Sequence, residues 1–339
     1  MRFGSWVVEG ELGRGGMGVV YAAVHSHSGE RRALKVIHAP AGADEEVARF
    51  AREVRVCTVL RHAHVVRVIG VEQPGPGDGE ASPSQTPSAP ASQTPSAPAS
   101  QIATPSASQI ATASGSQTAP ASAGQSAACC LVMEMCEGGS LADRVRRDGP
   151  LPVQQALELF DGVLAGLDHV HREHGFVHRD IKPHNILLAR GPDGPMTVGP
   201  MTGGSMTDDP MTAKLADFGL AKAYDSAGLS GLTRTGAVMG TPAYMPRAQL
   251  INYKYATPEV DVWSTAASLY HVLTGATPRD LPPGWDPWLA VATSPVVPVA
   301  KRGVTLPPGL CEVIDHALDD EPGGGFPTAE ELRAALGGS

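Results

Sequence analysis

His178-Arg179-Asp180-Ile181-Lys182-Pro183-His184-Asn185 is the stretch that decides this chain. It gathers an acid, a base and an amide into one short loop. Downstream comes Asp217-Phe218-Gly219. Far upstream lies Gly13-Arg14-Gly15-Gly16-Met17-Gly18-Val19-Val20. A lone G-x-G-x-x-G is a weak signal, since it also fits a plain hairpin. Here it sits between two expected strands, not before a helix, which disfavours a dinucleotide-binding fold.

The three motifs in this order are similar to the set that marks protein kinases. The chain resembles the bacterial, eukaryotic-like serine/threonine protein kinases from about Trp6 to Leu336, with two interruptions. The resemblance implies an α+β fold of two lobes with ATP between them. The N-lobe would hold a five-stranded antiparallel sheet and one main helix, and the C-lobe would be mostly helical. The kinase domain is expected over residues 5–337, with the N-lobe at 5–137 and the C-lobe at 138–337.

The residues carry that division by their patterning. Trp6 to Leu12, Val19 to Val24, Ala33 to Ile37, Val65 to Val71 and Cys130 to Met135 read as strands. Residues 44–61 read as a helix, with Asp44 able to cap and Val47, Phe50, Val54 and Cys57 at helical spacing. Beyond Ser140 helices dominate, most clearly 152–174 and 260–274. Leu157, Phe160, Leu164, Leu167 and Val170 form one apolar stripe, read as ordinary core.

Two tracts interrupt the pattern. The first spans residues 73–128 and from residue 80 is nearly all Ala, Ser, Pro, Gln and Thr, with Ser-Gln recurring every eight residues from Ser84. So little apolar surface cannot offset ordering entropy, and disorder is expected. Residues 191–212 repeat Met-Thr every five residues among Gly and Pro, which predicts a low-complexity loop. Both read as tolerated loop expansion, because closure entropy grows slowly with length. A docking or phosphorylation platform is the other reading.

The site roles follow from the resemblance. Phosphoryl transfer needs positioning and charge neutralisation more than covalent chemistry. The glycine-rich loop (Gly13, Arg14, Gly15, Gly16, Met17, Gly18, Val19) would approach the phosphates through its backbone. Leu12 and Val20 would pack on the adenine, beside Ala33. Glu134 and Cys136 lie in the connection whose backbone would bind the adenine edge. Lys35 would hold the α- and β-phosphates and Glu53 would fix its ammonium, with Glu45 and Glu46 at the helix start as competitors. Asp180 would orient the substrate hydroxyl and accept its proton, while Lys182 would neutralise the γ-phosphate. Asn185 and Asp217 would hold a hard cation, Mg²⁺ or Mn²⁺. Lysine two residues after Asp180 accompanies serine/threonine specificity in this family. Thr233 and Thr235 resemble an autophosphorylated Thr-x-Thr pair, with Arg179 placed to receive the phosphate.

The chain departs from the family where the peptide-binding segment should close on Ala-Pro-Glu. Pro246-Arg247-Ala248 stands there, and Gly325 occupies the place of the expected arginine partner. Both partners of that ion pair are missing together, which predicts a looser anchor.

Composition excludes other classes. The formal net charge is −9, against the basic face of a nucleic-acid-binding protein. Cys57, Cys129, Cys130, Cys136 and Cys311 form no C-x-x-C pair. Reduced thiols in the cytoplasm are expected. No apolar run reaches the roughly 18 residues of a membrane span. His169, His171, His174 and His178 lie close together, but they end a helix and enter the loop, so they read as structural. The expected partners are protein substrates, phosphorylated on Ser or Thr. Two rivals remain: a pseudokinase-like scaffold with weak activity, and a small-molecule kinase. Gly240-Thr241-Pro242-Ala243-Tyr244-Met245, which resembles a peptide-positioning segment, argues against the second.

Overall fold

Side-chain alternation in the strands decides what faces the site. In a computed structural model of the chain, described at residues 1–15, 18–40, 44–72, 125–190, 211–220, 223, 242–251, 253–281 and 284–339, strand β4 is Arg31–Pro40. Its Leu34 and Val36 pack outward with Phe3, Trp6 and Ala23. Ala33 and Ile37 pack inward with Phe50, Val54 and Leu131. Lys35 lies between Leu34 and Val36 in sequence, so period-two geometry turns it to the inner face. The partner strand β6, Gln125–Met133, alternates likewise: Cys129, Leu131 and Met133 face in, Cys130 and Val132 out.

The sheet has six strands in the order β1-β2-β3-β4-β6-β5, one more than expected. The extra one, β1, is Arg2–Phe3, which pairs with Trp6 and Val7. The others are β2 Trp6–Gly15, β3 Gly18–His25 and β5 Val68–Glu72. Helix α1, Asp44–Val56, covers the inner face. A short 3₁₀ turn, Cys57–Val59, follows it.

Both expected tracts turn out shorter at their far ends. Gln125, Ser126 and Ala127 pair with Pro40, Ala39 and His38, and Met211 pairs with Arg190. Small residues that look like low-complexity sequence here join ladders through backbone hydrogen bonds, which need no particular side chain. The rest of the tracts, 73–124 and 191–210, lie outside the described residues, as do Gly16, Met17, Thr233, Thr235, Gly240 and Thr241. The first tract leaves from β5 and returns to its neighbour β6, where Glu72 pairs with Cys130. The second joins β7, Ile186–Arg190, to its partner β8, Met211–Leu215.

The second lobe is built on two helices. In α2, Leu141–Asp148, Ser140 and Asp143 form a capping box. Helix α3, Val153–His174, ends on Gly175 in the left-handed conformation. Its stripe is core as expected: Phe160, Leu164, Leu167 and Val170 are fully buried, and Leu157 packs half-buried against them. A short helix α4, Arg247–Ile251, precedes α5, Pro258–Thr274. Helix α5 is buried nearly all round. Its Ser264, Thr265 and Ser268 hydroxyls satisfy themselves on carbonyls four residues back, at 2.7–2.8 Å. Helices α6 Pro287–Thr293, α7 Pro308–Ala317 and α8 Ala329–Gly337 complete the lobe. No helix among the described residues is long and apolar enough to cross a membrane.

Imidazoles line the junction between the two lobes. His62 stacks on His169 with ring centroids 5.1 Å apart, and His64 and His174 continue the row. Burial, then the neighbouring charges of His169, His64 and Lys214, hold His62 below the usual histidine value. Burial, aided by His184, lowers His271 on α5 as well, against a hydrogen bond with Ala276. A lowered folded-state value means that the native protein binds fewer protons than the unfolded chain. Stability from these groups is complete above pH ~6.5 and is lost as pH falls below it. The melting temperature is therefore expected to fall between about pH 7.5 and 5.5. Differential scanning fluorimetry of His62→Gln should give a flatter pH profile; identical profiles would remove His62 from this account.

Candidate active site

A buried acid organises the loop at 178–185. Asp261, 0% exposed in the first turn of α5, accepts from His178 N at 2.6 Å, Arg179 N at 2.8 Å and His171 Nε2 at 2.9 Å. These bonds hold Arg179 at φ +68°, a conformation that costs a non-glycine residue roughly 1–3 kcal/mol. The His178 ring is fixed from both sides. Its Nδ1 accepts from Asp180 N at 3.2 Å, so Nε2 carries the proton and donates to Ala216 O at 2.7 Å. His171 and His178 are thus committed to hydrogen bonds within the loop's frame, as the structural reading expected.

The loop side chains converge. Lys182 Nζ lies 3.0 and 2.9 Å from the two Asp180 oxygens. Asn185 Nδ2 donates to Asp180 O at 2.8 Å and Oδ2 at 3.1 Å, which leaves its amide oxygen as the outward acceptor. Ala216 N donates to Asn185 O at 2.8 Å, tying the next residue, Asp217, to the same frame. Phe218 is buried against the His178 ring, centroids 4.6 Å apart, and its carbonyl accepts from Cys57 Sγ at 3.3 Å.

Lys35 requires a correction. Its Nζ lies 2.6 Å from Asp217 Oδ2, and Glu53 is not its partner. Phe50 and Val54, both fully buried, set the rotation of α1, and Glu53 is left only half-buried. Burial by itself would raise the Asp217 carboxyl. Lys35, with His178 and Lys182 beyond it, outweighs burial and holds Asp217 below the usual carboxylate range.

The adenine-side residues gather on the inner face of the sheet. Ala33 and Met133 pack in one cluster with Ala216, against partly buried Val20, Cys136 and Leu187. Leu12 stands apart, 54% exposed. The Glu134 side chain turns aside, accepting from Arg67 N at 2.7 Å and Lys214 Nζ at 3.0 Å, and its own N–H donates to Arg67 O at 3.0 Å. Burial, then Glu134, pushes the Cys136 thiol up to about 12, which keeps it protonated. In the glycine-rich hairpin, Gly18 is obligatory. Its φ is +128°, and a Cβ there would sit 2.1 Å from Val36 O on β4. At Gly13 and Gly15 a Cβ would meet nothing within 4 Å. Val19 is buried, and Arg14 is held by Glu11 at 2.8 Å.

A model of the protein kinase domain family matches residues 6–77 and 117–283 of this sequence. The chain belongs to the protein kinase family. Among curated proteins the kinase is similar to serine/threonine-protein kinase pkn2 of Myxococcus xanthus, 27% identical over 96% of this chain and 31% of that protein. It is also similar to PknB of Mycolicibacterium smegmatis, 29% identical over 96% of this chain and 41% of that protein. The chain thus spans less than half the length of either relative. Among solved structures, the kinase domain of Mycobacterium tuberculosis PknI superposes with a TM-score of 0.58. It is 20% identical, with 100% of this chain and 97% of that one covered. The expected two-lobed α+β kinase fold stands, and the likeness to bacterial serine/threonine-protein kinases agrees with the resemblance read from the motifs.

Sequence reading missed Asp261, Gln249, Arg279 and Asp320. Asp261 had a readable signal: one acid inside Val260-Asp261-Val262-Trp263, where solvent cannot solvate it. The other three had none.

The missing Ala-Pro-Glu pair also resolves differently from expectation. Ala248 is exposed, and Gly325 sits at φ +74° with its Cβ position 3.3 Å from Ala317 O. Elsewhere under the same segment, Arg279 and Asp320 form a buried ion pair beneath Met245. Gly325→Arg is therefore expected to lower the urea midpoint whether or not Ala248 is changed to Glu. Ala248→Glu alone should shift stability by less than about 0.5 kcal/mol. Recovery in the double variant would contradict this geometry.

Proposed function

We propose that this kinase transfers the γ-phosphoryl group of ATP to serine or threonine hydroxyls of proteins. The observation that carries the reading is the convergence of Asp180, Lys182 and Asn185 in one hydrogen-bonded loop, tied through Ala216 to Asp217 and Lys35. Asp180 orients the acceptor hydroxyl and takes its proton. Lys182, 2.9 Å from that carboxylate, neutralises the transferring group, and Lys35 holds the α- and β-phosphates. Val20, Ala33 and the backbone of Glu134 and Cys136 receive the adenine, with Leu12 covering it. The backbone of Gly13, Gly15 and Gly18 would approach the phosphates.

The Asn185 amide oxygen and the Asp217 carboxylate are hard oxygen donors, suited to Mg²⁺ or Mn²⁺. Such an ion, when bound, supplies positive charge across the phosphate oxygens. The setting we assign is the cytoplasm, in keeping with five free cysteines. The acidic balance of the chain supports protein substrates over nucleic acid.

Incubation with labelled ATP, Mg²⁺ and either casein or myelin basic protein tests the proposal. Label on serine or threonine is expected. Binding of ATP without transfer would favour the scaffold reading. Autophosphorylation is expected at Thr233 and Thr235, read by mass spectrometry, with Arg179 as the receiving cation. Full activity in Thr233→Ala/Thr235→Ala would rule out an activating role for them.

A further inference from the structure

Arg279 is 0% exposed and lies in the loop after α5, far from the catalytic loop in sequence. One guanidinium nitrogen pairs with Asp320, another donates to Met245 O at 3.0 Å, and the group stacks over Trp263 at 4.7 Å. The Asp320 carboxylate also accepts from Arg247 N at 3.3 Å, and Arg247 Nε lies 3.8 Å away. Arg247 itself donates to Val291 O and Ser294 O, at 3.1 and 2.8 Å, locking the end of α6 to the same point. Two residues further on, the buried Gln249 donates to Arg179 O at 2.7 Å, one peptide before Asp180.

An arginine cannot shed its proton, so a buried one must be matched by a carboxylate and by acceptors for its remaining N–H groups. Asp320 supplies the carboxylate and Met245 O accepts from a second guanidinium nitrogen, while Nε is buried with no hydrogen-bond partner among the described residues. Asp320 thereby fixes two points of the 242–251 segment, the Met245 carbonyl through Arg279 and the Arg247 amide directly. Gln249 carries that position onto the catalytic loop.

We infer that Asp320, with Arg279 and Arg247, is a positioning centre that sets the peptide-binding segment against Asp180, in the role left open by Ala248 and Gly325. The inference rests on the protein kinase reading. A pair that served core stability alone would affect all parts of the kinase alike. A positioning centre acts on the protein substrate and spares ATP.

Asp320→Asn, Asp320→Glu and Arg247→Met test this, the last retaining the Arg279 pair if Asp320→Asn folds poorly. In steady-state assays Asp320→Asn should raise KM for the protein substrate at least about tenfold and leave KM for ATP unchanged. Arg247→Met should move in the same direction by less, and Asp320→Glu should recover most of the loss. Hydrogen exchange gives a readout without activity: amides of 242–251 should exchange roughly tenfold faster in Asp320→Asn and Arg247→Met, with α3 and α5 unchanged. Uniformly faster exchange, unchanged exchange, or equal changes in both KM values would overturn the inference. If the wild-type protein transferred no phosphate while the local exchange change held, the anchor would stand and the serine/threonine kinase reading would fall.

Discussion

Asp180→Asn should lower the rate of phosphotransfer by about 10²–10⁴-fold, the range for loss of a positioned general base, with little change in melting temperature. The amide keeps the shape and can still accept from Asn185, but it cannot take the hydroxyl proton. Lys35→Met should abolish transfer too, yet by a different route. Its ammonium is the main partner of Asp217, 2.6 Å away. Removing it leaves a half-buried carboxylate uncompensated, so this variant should lose stability as well as rate. The depressed Asp217 pKa contributes stability above the unfolded carboxylate value of ~3.9, and that contribution is lost as pH falls through the folded value. Lys35→Met should erase that dependence at its low-pH end. Single-turnover transfer of labelled phosphate and acid unfolding followed by circular dichroism separate the two effects. Undiminished autophosphorylation in Asp180→Asn would sink the mechanism.

Asp261→Ala is the largest expected stability effect. Its carboxylate serves three donors at 2.6–2.9 Å with no access to water. Truncation strands His178 N, Arg179 N and the His171 ring, at about 1–3 kcal/mol for each donor left buried without a partner. It also releases Arg179 from its positive φ, so the loop holding Asp180 relaxes. Urea unfolding should show a loss on the order of 3–5 kcal/mol, and transfer should fall in whatever fraction remains folded. Asp261→Asn should be milder, since one oxygen can still accept. A native-like midpoint and full activity in Asp261→Ala would show that the loop is held by something else.

The catalytic loop and the strands were legible because their information is local. Asp180, Lys182 and Asn185 lie within one turn of chain, and β4 declares its two faces by alternation. Glu53 was not legible. Spacing places it on α1, but the rotation of α1 is set by Phe50 and Val54 packing under the sheet, and Asp217 reaches Lys35 instead. The Arg279–Asp320 pair was hidden for another reason. Its members sit in two loops that are far apart in sequence, and attention to Ala248 and Gly325 pointed away from them. Strand β1 has only two residues, too few for any periodicity. The far ends of both tracts were misread because backbone pairing recruits residues that no propensity would place in a strand.

The two repeat-rich tracts share a topological property. Each departs from one strand and rejoins the strand hydrogen-bonded to it, with Glu72 opposite Cys130 and Arg190 opposite Met211. The fold thus treats them as parentheses: the gap they bridge is fixed by pairing on either side and does not depend on what is written between. Removing or adding a whole repeat is therefore expected to leave the pairing of β5 with β6 and of β7 with β8 unchanged. The same two places should accept an inserted foreign domain, such as a fluorescent reporter, with its termini held close together on either lobe.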